Sequence, residues 1–202
     1  MIESEAITPD RLSEYRRATR ETSIVGSLVL DADRPGSLVR TGIGMLDHML
    51  DALATHAGWR LDLEAHGDLE VDDHHVAEDT AIVLSRLLGS ALGDRSGIRR
   101  FGWSMVPLDE SLARVSVDLV ARPSASIDLD LQRPTIGGLA SENATHFFET
   151  LALTAPFTLH VRMLEGRNDH HRLESAFKGL ALALRQATAP IDGPTSTKGT
   201  LE

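Results

Sequence analysis

"DDHHVAEDTA" (residues 72–81) and "NDHHRLESAF" (168–177) set one pattern twice: two adjacent histidines, then a glutamate three residues after the second. A single histidine precedes each pair, His48 by 26 residues ahead of His74 and His146 by 24 ahead of His170. The segments between correspond as well. "DHMLDALATHAGWRLDLEAHG" (47–67) and "THFFETLALTAPFTLHVRMLEG" (145–166) each pass from a histidine through a helical stripe into an alternating strand. In the first, Leu46, Met49, Leu50 and Leu53 keep the helical spacing and Leu61, Leu63 and Ala65 alternate; in the second, Phe147, Leu151 and Thr154 lead to Phe157, Leu159, Val161 and Met163. Each His-His pair then opens another helix, with Asp72 or Asp73 as N-cap for one and Asn168 for the other. The first of these carries Leu84, Leu87, Leu88 and Ala91 inward and stops near Gly93.

Working outward, "SIVGSLVL" (23–30) with "SLVRTGI" (37–43), and "ARVSVDLV" (113–120) with "SASIDLDL" (124–131), are strand pairs ahead of each unit. The chain therefore reads as two copies of strand-strand-helix-strand-helix, an α+β fold in which each half is a small sheet with helices on one face. The repeats span about 15–103 and 104–192, with "RRFGWSMVPLDES" (99–111) linking them, and residues 193–202 form a Gly/Pro/Ser/Thr-rich tail. With no low-complexity linker between the halves, a single compact domain is expected.

Composition narrows the function. A net charge of −10 without a Lys/Arg block argues against general nucleic-acid affinity, though a few cations can still serve one anion pocket. Cysteine is absent, which removes disulfides, thiolate metal sites and a Cys nucleophile. The N-terminus has no apolar leader and no run is long enough to span a bilayer, so a cytoplasmic protein without membrane contact is expected. No P-loop or dinucleotide glycine pattern occurs, so ATP and NAD are not expected.

The duplicated histidines carry the chemistry. Neighbours on a helix point about 100° apart, whereas residues three or four apart share a face, so adjacent histidines suit two different ions. One partition assigns His75, Glu78, His170 and His48 to one ion and His171, Glu174, His74 and His146 to the other; exchanging i+3 for i+4 pairing is the alternative. Asp73, Asp79 and Asp169 are candidates to orient the rings, while His56, His66 and His160 fall outside the pattern. Nitrogen-rich sites with one carboxylate admit Mn, Fe, Co, Ni or Zn, and a directly bound substrate needs open positions, which argues against closed tetrahedral zinc.

Beyond these residues, "TGIGMLDHMLD" (41–51), "GDLEVDDHHVAED" (67–79), "GIRRFG" (97–102), "PLDESL" (107–112), "GRNDHHRLESAFKGLALALR" (166–185) and "STKG" (196–199) resemble, in order and spacing, the imidazoleglycerol-phosphate dehydratases of histidine biosynthesis. The likeness covers roughly residues 15–201. It implies a duplicated fold of the ribosomal protein S5 domain 2 type, two Mn²⁺ per active site, and a homo-oligomer of 24 subunits built from trimers. It also implies loss of water from the glycerol chain of a phosphorylated imidazole, giving imidazole acetol phosphate. Glu21, Glu174 and His48 then become the catalytic candidates. Arg100, Arg122, Lys178, Ser196 and Lys198 become the phosphate ligands. The tail departs from the family's usual Pro-Ser-(Ser/Thr)-Lys-Gly by one extra residue after Pro194, and Leu108 stands where Met is usual, a volume-conserving change. Two other classes compete. A dinuclear metallohydrolase would act on phosphoesters lacking an imidazole, and a metal-storage shell would not need the basic residues to converge.

Overall fold

Two mixed sheets enclose four helices in the computed structural model, which describes residues 11–154 and 157–192. The first half runs β1 (Leu12–Ala18), β2 (Thr22–Val29), β3 (Gly36–Arg40), α1 (Gly44–Ala57), β4 (Arg60–Gly67) and α2 (His74–Leu92). The second repeats it: β5 (Phe101–Leu108), β6 (Ser111–Asp118), β7 (Ser124–Asp128), a two-residue hairpin pair β8 (Thr135–Ile136) and β9 (Leu139–Ala140), α3 (Ser141–Thr154), β10 (Thr158–Glu165) and α4 (Asp169–Thr188). Strand order is β1-β2-β4-β3 in one sheet and β5-β6-β10-β7 in the other. In each, the last pairing is parallel, β3 with β4 and β7 with β10. A parallel pair needs a crossover, and α1 and α3 supply it.

The α+β class with duplicated units stands, but each unit begins with a strand that hydrophobic patterning misses. β1 turns Ser13, Tyr15 and Arg17 inward, so no apolar alternation marks it. β5 inverts the usual pattern: Phe101, Trp103 and Met105 face out while Gly102, Ser104 and Val106 face in. Close approach of α4 is the cause. A Cβ at Gly102 would lie 1.8 Å from the Ala183 carbonyl oxygen, and Ser104 Oγ donates to the Gly179 carbonyl at 2.7 Å. The expected linker is therefore the first strand of the second sheet, and that sheet begins ahead of residue 104.

The expected stripes are buried: Leu46, Met49, Leu50 and Leu53 on α1, and Leu84, Leu87, Leu88 and Ala91 on α2. α1 stops at Gly58, whose φ of 78° lets its own N–H and that of Trp59 close onto Thr55 and Ala54 carbonyls. What positions the functional residues is the pairing of helices across the halves. α1 packs on α4 and α2 on α3, so each helix meets one from the other repeat. Phe147, Phe148 and Phe177 join in that layer with ring centroids 4.7–6.2 Å apart. The apolar cluster runs unbroken from one half into the other.

Candidate metal centre

Both histidine pairs sit at helix starts, and an acceptor side chain holds each start. Asp72 Oδ1 accepts from the His74 N–H at 2.8 Å, and Asn168 Oδ1 from the His170 N–H at 3.0 Å. One turn later on the same face come Glu78 and Glu174. The cross-half packing then adds one histidine to each: His146 from α3 meets α2, and His48 from α1 meets α4. The result is two triads, His74–Glu78–His146 and His48–His170–Glu174, whose ligand atoms all lie within 4.8 Å of one another.

In the first triad His146 Nε2 lies 3.1 Å from Glu78 Oε1, and the His74 and His146 rings stack at 5.2 Å. In the second, Glu174 Oε2 is 3.1 Å from His170 Nε2 and 3.6 Å from His48 Nε2. Two imidazole nitrogens and one carboxylate oxygen, partly open to solvent, make a donor set that fits a divalent transition metal with positions to spare. The chain thus uses i+4 pairing, and the first partition is corrected: Glu174, not Glu78, accompanies His48 and His170, while Glu78 accompanies His74 and His146. The cause is geometric, since a side chain four residues along a helix overlies the first more nearly than one three along.

His75 and His171 join neither triad of their own chain. Each instead sets its Nδ1 on a carboxylate: His75 at 3.1 Å from both Asp68 oxygens, His171 at 2.8 Å from Glu110 Oε2. With Nδ1–H donating, Nε2 is left as the lone pair, that of His171 lying 3.7 Å from Asp109 Oδ2. The carboxylate partner raises the pKa of each ring. Glu110 moves the opposite way, to about 2, held first by the His171 ring and then by the N–H groups of Asn168 and Arg167. Glu21, exposed in the β1–β2 turn, stands close enough to add its charge to His75.

The ring-orienting aspartates are also corrected. Asp73 accepts from Ala140 N and Asn143 Nδ2, Asp79 pairs with Arg17 and Thr22, and Asp169 accepts from the Gln132 and Arg133 amides. Asp73 and Asp169 tie loops to helix starts, and Asp79 ties β1 and β2 to α2. Rings are oriented by Asp68, Glu110 and Asn143, whose Oδ1 lies 2.9 Å from His74 Nδ1, with Thr150 beside His146. A signal existed for two of these: Asn143 and Thr150 lie three before and four after His146 on one helix face. Asp68 and Glu110 come from turns, where spacing says nothing. His56, His66 and His160 stay outside both triads.

Among the described residues, a single chain does not bring all of the phosphate candidates to one place. Lys178 Nζ holds Glu174 Oε1 at 2.8 Å, beside the second triad. Burial pushes the Glu174 carboxyl up, but Lys178, His48 and His170 outweigh it and leave the group below its ordinary value. Arg100, in left-handed backbone with φ 72°, grips Asp118 at 2.7 and 3.0 Å, and its N–H reaches the Ala187 carbonyl in the last turn of α4. Along α4 that is roughly 20 Å from Glu174 at 1.5 Å per residue. Arg122 lies in the loop after β6, at the Arg100 end of the sheet. Ser196 and Lys198 lie outside the described residues.

Residues 41–184 match the family model described as imidazoleglycerol-phosphate dehydratase. The Candida glabrata protein of that name is 50% identical, over 89% of this chain and 86% of its own. That of Phytophthora nicotianae is 51% identical over 95% of this chain, which spans 42% of that longer protein. The crystal structure of the Staphylococcus aureus enzyme superposes with a TM-score of 0.80 at 35% identity, over 89% of this chain and 99% of the other. A duplicated sheet–helix sandwich with paired His/His/Glu clusters, matched this closely, places the chain among the hydro-lyases, enzymes that break a carbon–oxygen bond to release water. It belongs to the imidazoleglycerol-phosphate dehydratase family of histidine biosynthesis.

Proposed function

We propose that the chain is a divalent-metal-dependent dehydratase, acting in the cytoplasm as a homo-oligomer of 24 subunits built from trimers, that converts imidazole glycerol phosphate to imidazole acetol phosphate and water. The two triads carry this reading. His48, His170 and Glu174 would hold one ion and His74, Glu78 and His146 the other, with Mn²⁺ the metal the family resemblance favours. His75 and His171, which lie outside their own chain's triads, are the ligands that neighbouring copies would exchange. A divalent ion held there would supply Lewis acidity and would stabilise negative charge on the substrate's imidazole.

The chain's own residues do the rest. Glu174, kept below its ordinary pKa and therefore ionised, accepts the proton from carbon. Glu21, at His75 and open to solvent, protonates the departing hydroxyl. Arg122, Lys178, Arg100, Ser196 and Lys198 orient the phosphate, Arg through its fork and Lys as a point charge. Because Arg100 meets the last turn of α4 while Lys178 lies nine residues before Ala187 on that helix, the pocket draws them from different copies.

The test supplies imidazole glycerol phosphate to Mn²⁺-loaded protein and follows a product lighter by one water. Turnover that stops on chelation and returns with Mn²⁺ is expected. Hydrolysis of phosphoesters that lack an imidazole, with no dehydration, would overturn the reading.

A further inference from the structure

Each repeat sets an aspartate directly ahead of its histidine pair, Asp73 before His74 and Asp169 before His170. Both aspartates hold the same segment of chain. That segment, residues 129–140, joins β7 to α3 and carries the β8–β9 hairpin, whereas its counterpart between β3 and α1 is only residues 41–43. At one end of it the Gln132 and Arg133 amides donate to Asp169 Oδ2 at 2.9 and 2.6 Å. At the other, the Ala140 N–H donates to Asp73 Oδ2 at 2.7 Å. The two ends are bolted together. Ser141, the first residue of α3, donates to the Arg133 carbonyl through Oγ and to the Pro134 carbonyl through its N–H. Thr135 pairs with Ala140, and Ile136 with Leu139.

This strap reaches all four helices that carry the triads. Asp73 ties it to α2 and Asp169 to α4, and α3 follows directly from it. α1 touches it at the hairpin turn, where a Cβ at Gly137 would lie 3.2 Å from the Met45 Cβ, three residues ahead of His48. Arg172 fixes it to α4 a second time. Its guanidinium donates to the Asp130 carbonyl and lies 3.1 Å from the Asp130 carboxylate and 3.3 Å from that of Asp169. Arg172 is 7% exposed and stands where the first repeat has Val76. A charge so deeply placed must keep its partners, which makes the tie hard to break. Ile136 and Leu139 are buried and seat the hairpin in the apolar cluster.

We infer that the strap is a positioning element shared by the two triads, and that Asp73 and Asp169 act through it, each on the ligands carried by the other's helix. The path is short: from Asp169 to the Arg133 peptide, across Ser141 to Ala140, and so to Asp73. One fixture on four helix starts makes them move together. Ligand side chains hold productive geometry only when the groups behind them are fixed, so a loose start costs its own triad. Coupling is reciprocal, so freeing either end must be felt at the far helix. The consequence for ions rests on the metal reading above, whereas the coupling belongs to the chain itself.

Hydrogen exchange of chelated full-length protein, read by mass spectrometry, tests the coupling without metal. Asp169→Ala should speed exchange about threefold or more in residues 74–80 of α2 as well as in 170–176 of α4, with β2 and β4 unchanged. Asp73→Ala should do the same from the other end. Asp169→Asn keeps an acceptor oxygen for the two amides and should restore wild-type exchange at both starts. Effects confined to the substituted helix, or an Asn variant no better than the Ala one, would overturn the inference. Should the alanine variants lose their fold, Ser141→Pro decides the matter. Proline is tolerated in the first turn of a helix, and here it removes both Ser141 bonds while sparing the aspartates and every ligand. It should speed exchange at both starts and, by equilibrium dialysis, weaken Mn²⁺ binding about tenfold, the scale seen when a ligand's outer partners are disturbed. Wild-type exchange at either start, or an unchanged Mn²⁺ affinity, overturns the strap. Wild-type protein that binds no Mn²⁺ would instead overturn the metal reading and leave the coupling standing.

Discussion

Glu110 links three things with one carboxylate: the β5–β6 turn, the start of α4 through the Arg167 and Asn168 amides, and the His171 ring. Its titration sets a pH window for chelated protein. His171 sits above its ordinary 6.5, so its contribution is complete below 6.5 and fades as pH rises through the raised value. Glu110 sits at about 2 instead of 4.5, so its contribution is complete above 4.5 and fades as pH falls toward 2. The pair, counted once, favours the metal-free fold most between those ordinary values. Thermal midpoints of chelated protein across pH should show that rise, and Glu110→Gln should flatten it; an identical profile in the variant contradicts the linkage. A second expectation separates two phosphate candidates. Arg122→Ala should weaken substrate binding about ten- to a hundredfold, the worth of a charged hydrogen bond of roughly 1.5–3 kcal/mol, with stability and metal content intact. Arg100→Ala should weaken binding and also lower the melting temperature, because Asp118 loses its bidentate partner. Equal melting temperatures for both variants would show that the Arg100–Asp118 pair has no structural role.

β5 and α4 are matched by the smallness of β5's inner face. Gly102 lets the strand lie against the Ala183 carbonyl, and Gly179 lets α4 lie against Val115, where a Cβ would come within 2.8 Å of its Cγ2. Gly102→Ala should therefore cost roughly 1–3 kcal/mol or more, since backbone on both sides must separate. Denaturant melts give the value, and a loss below half a kcal/mol would mean that α4 slides freely on the sheet. The effect should extend to chemistry, because α4 carries His170, His171, Glu174 and Lys178. A strand displaced at one end of that helix tilts the triad at the other, so the variant should also bind metal less tightly.

Across the whole molecule, metal and assembly should be linked. His75 and His171 find no triad in their own chain; if they are ligands, as the proposed function has it, other copies complete the set, and any ion that binds only the assembled form favours it by mass action. Size-exclusion chromatography with light scattering should find a smaller species after chelation, a trimer by the family resemblance, and the large particle after Mn²⁺ is returned. Low pH should oppose reassembly, because histidines coordinate only when neutral. Chelated protein that keeps its full mass at neutral pH would break the linkage without touching the catalytic reading.

The sequence alone was enough for the duplication, the fold class, the candidate ligands and the helix starts that display them. These depend on spacing, and spacing along a helix is geometry. The partners of those ligands were decided only in three dimensions. His48 meets Glu174, and His146 meets Glu78, because α1 packs on α4 and α2 on α3, a choice between halves that no local pattern encodes. Asp68 and Glu110 escaped notice for the same reason, since turns bring them to rings by tertiary closure. β5 was hidden more deeply. Its large residues face outward and its small ones inward, so its hydrophobic signal points away from the core, toward a surface that a single chain leaves uncovered.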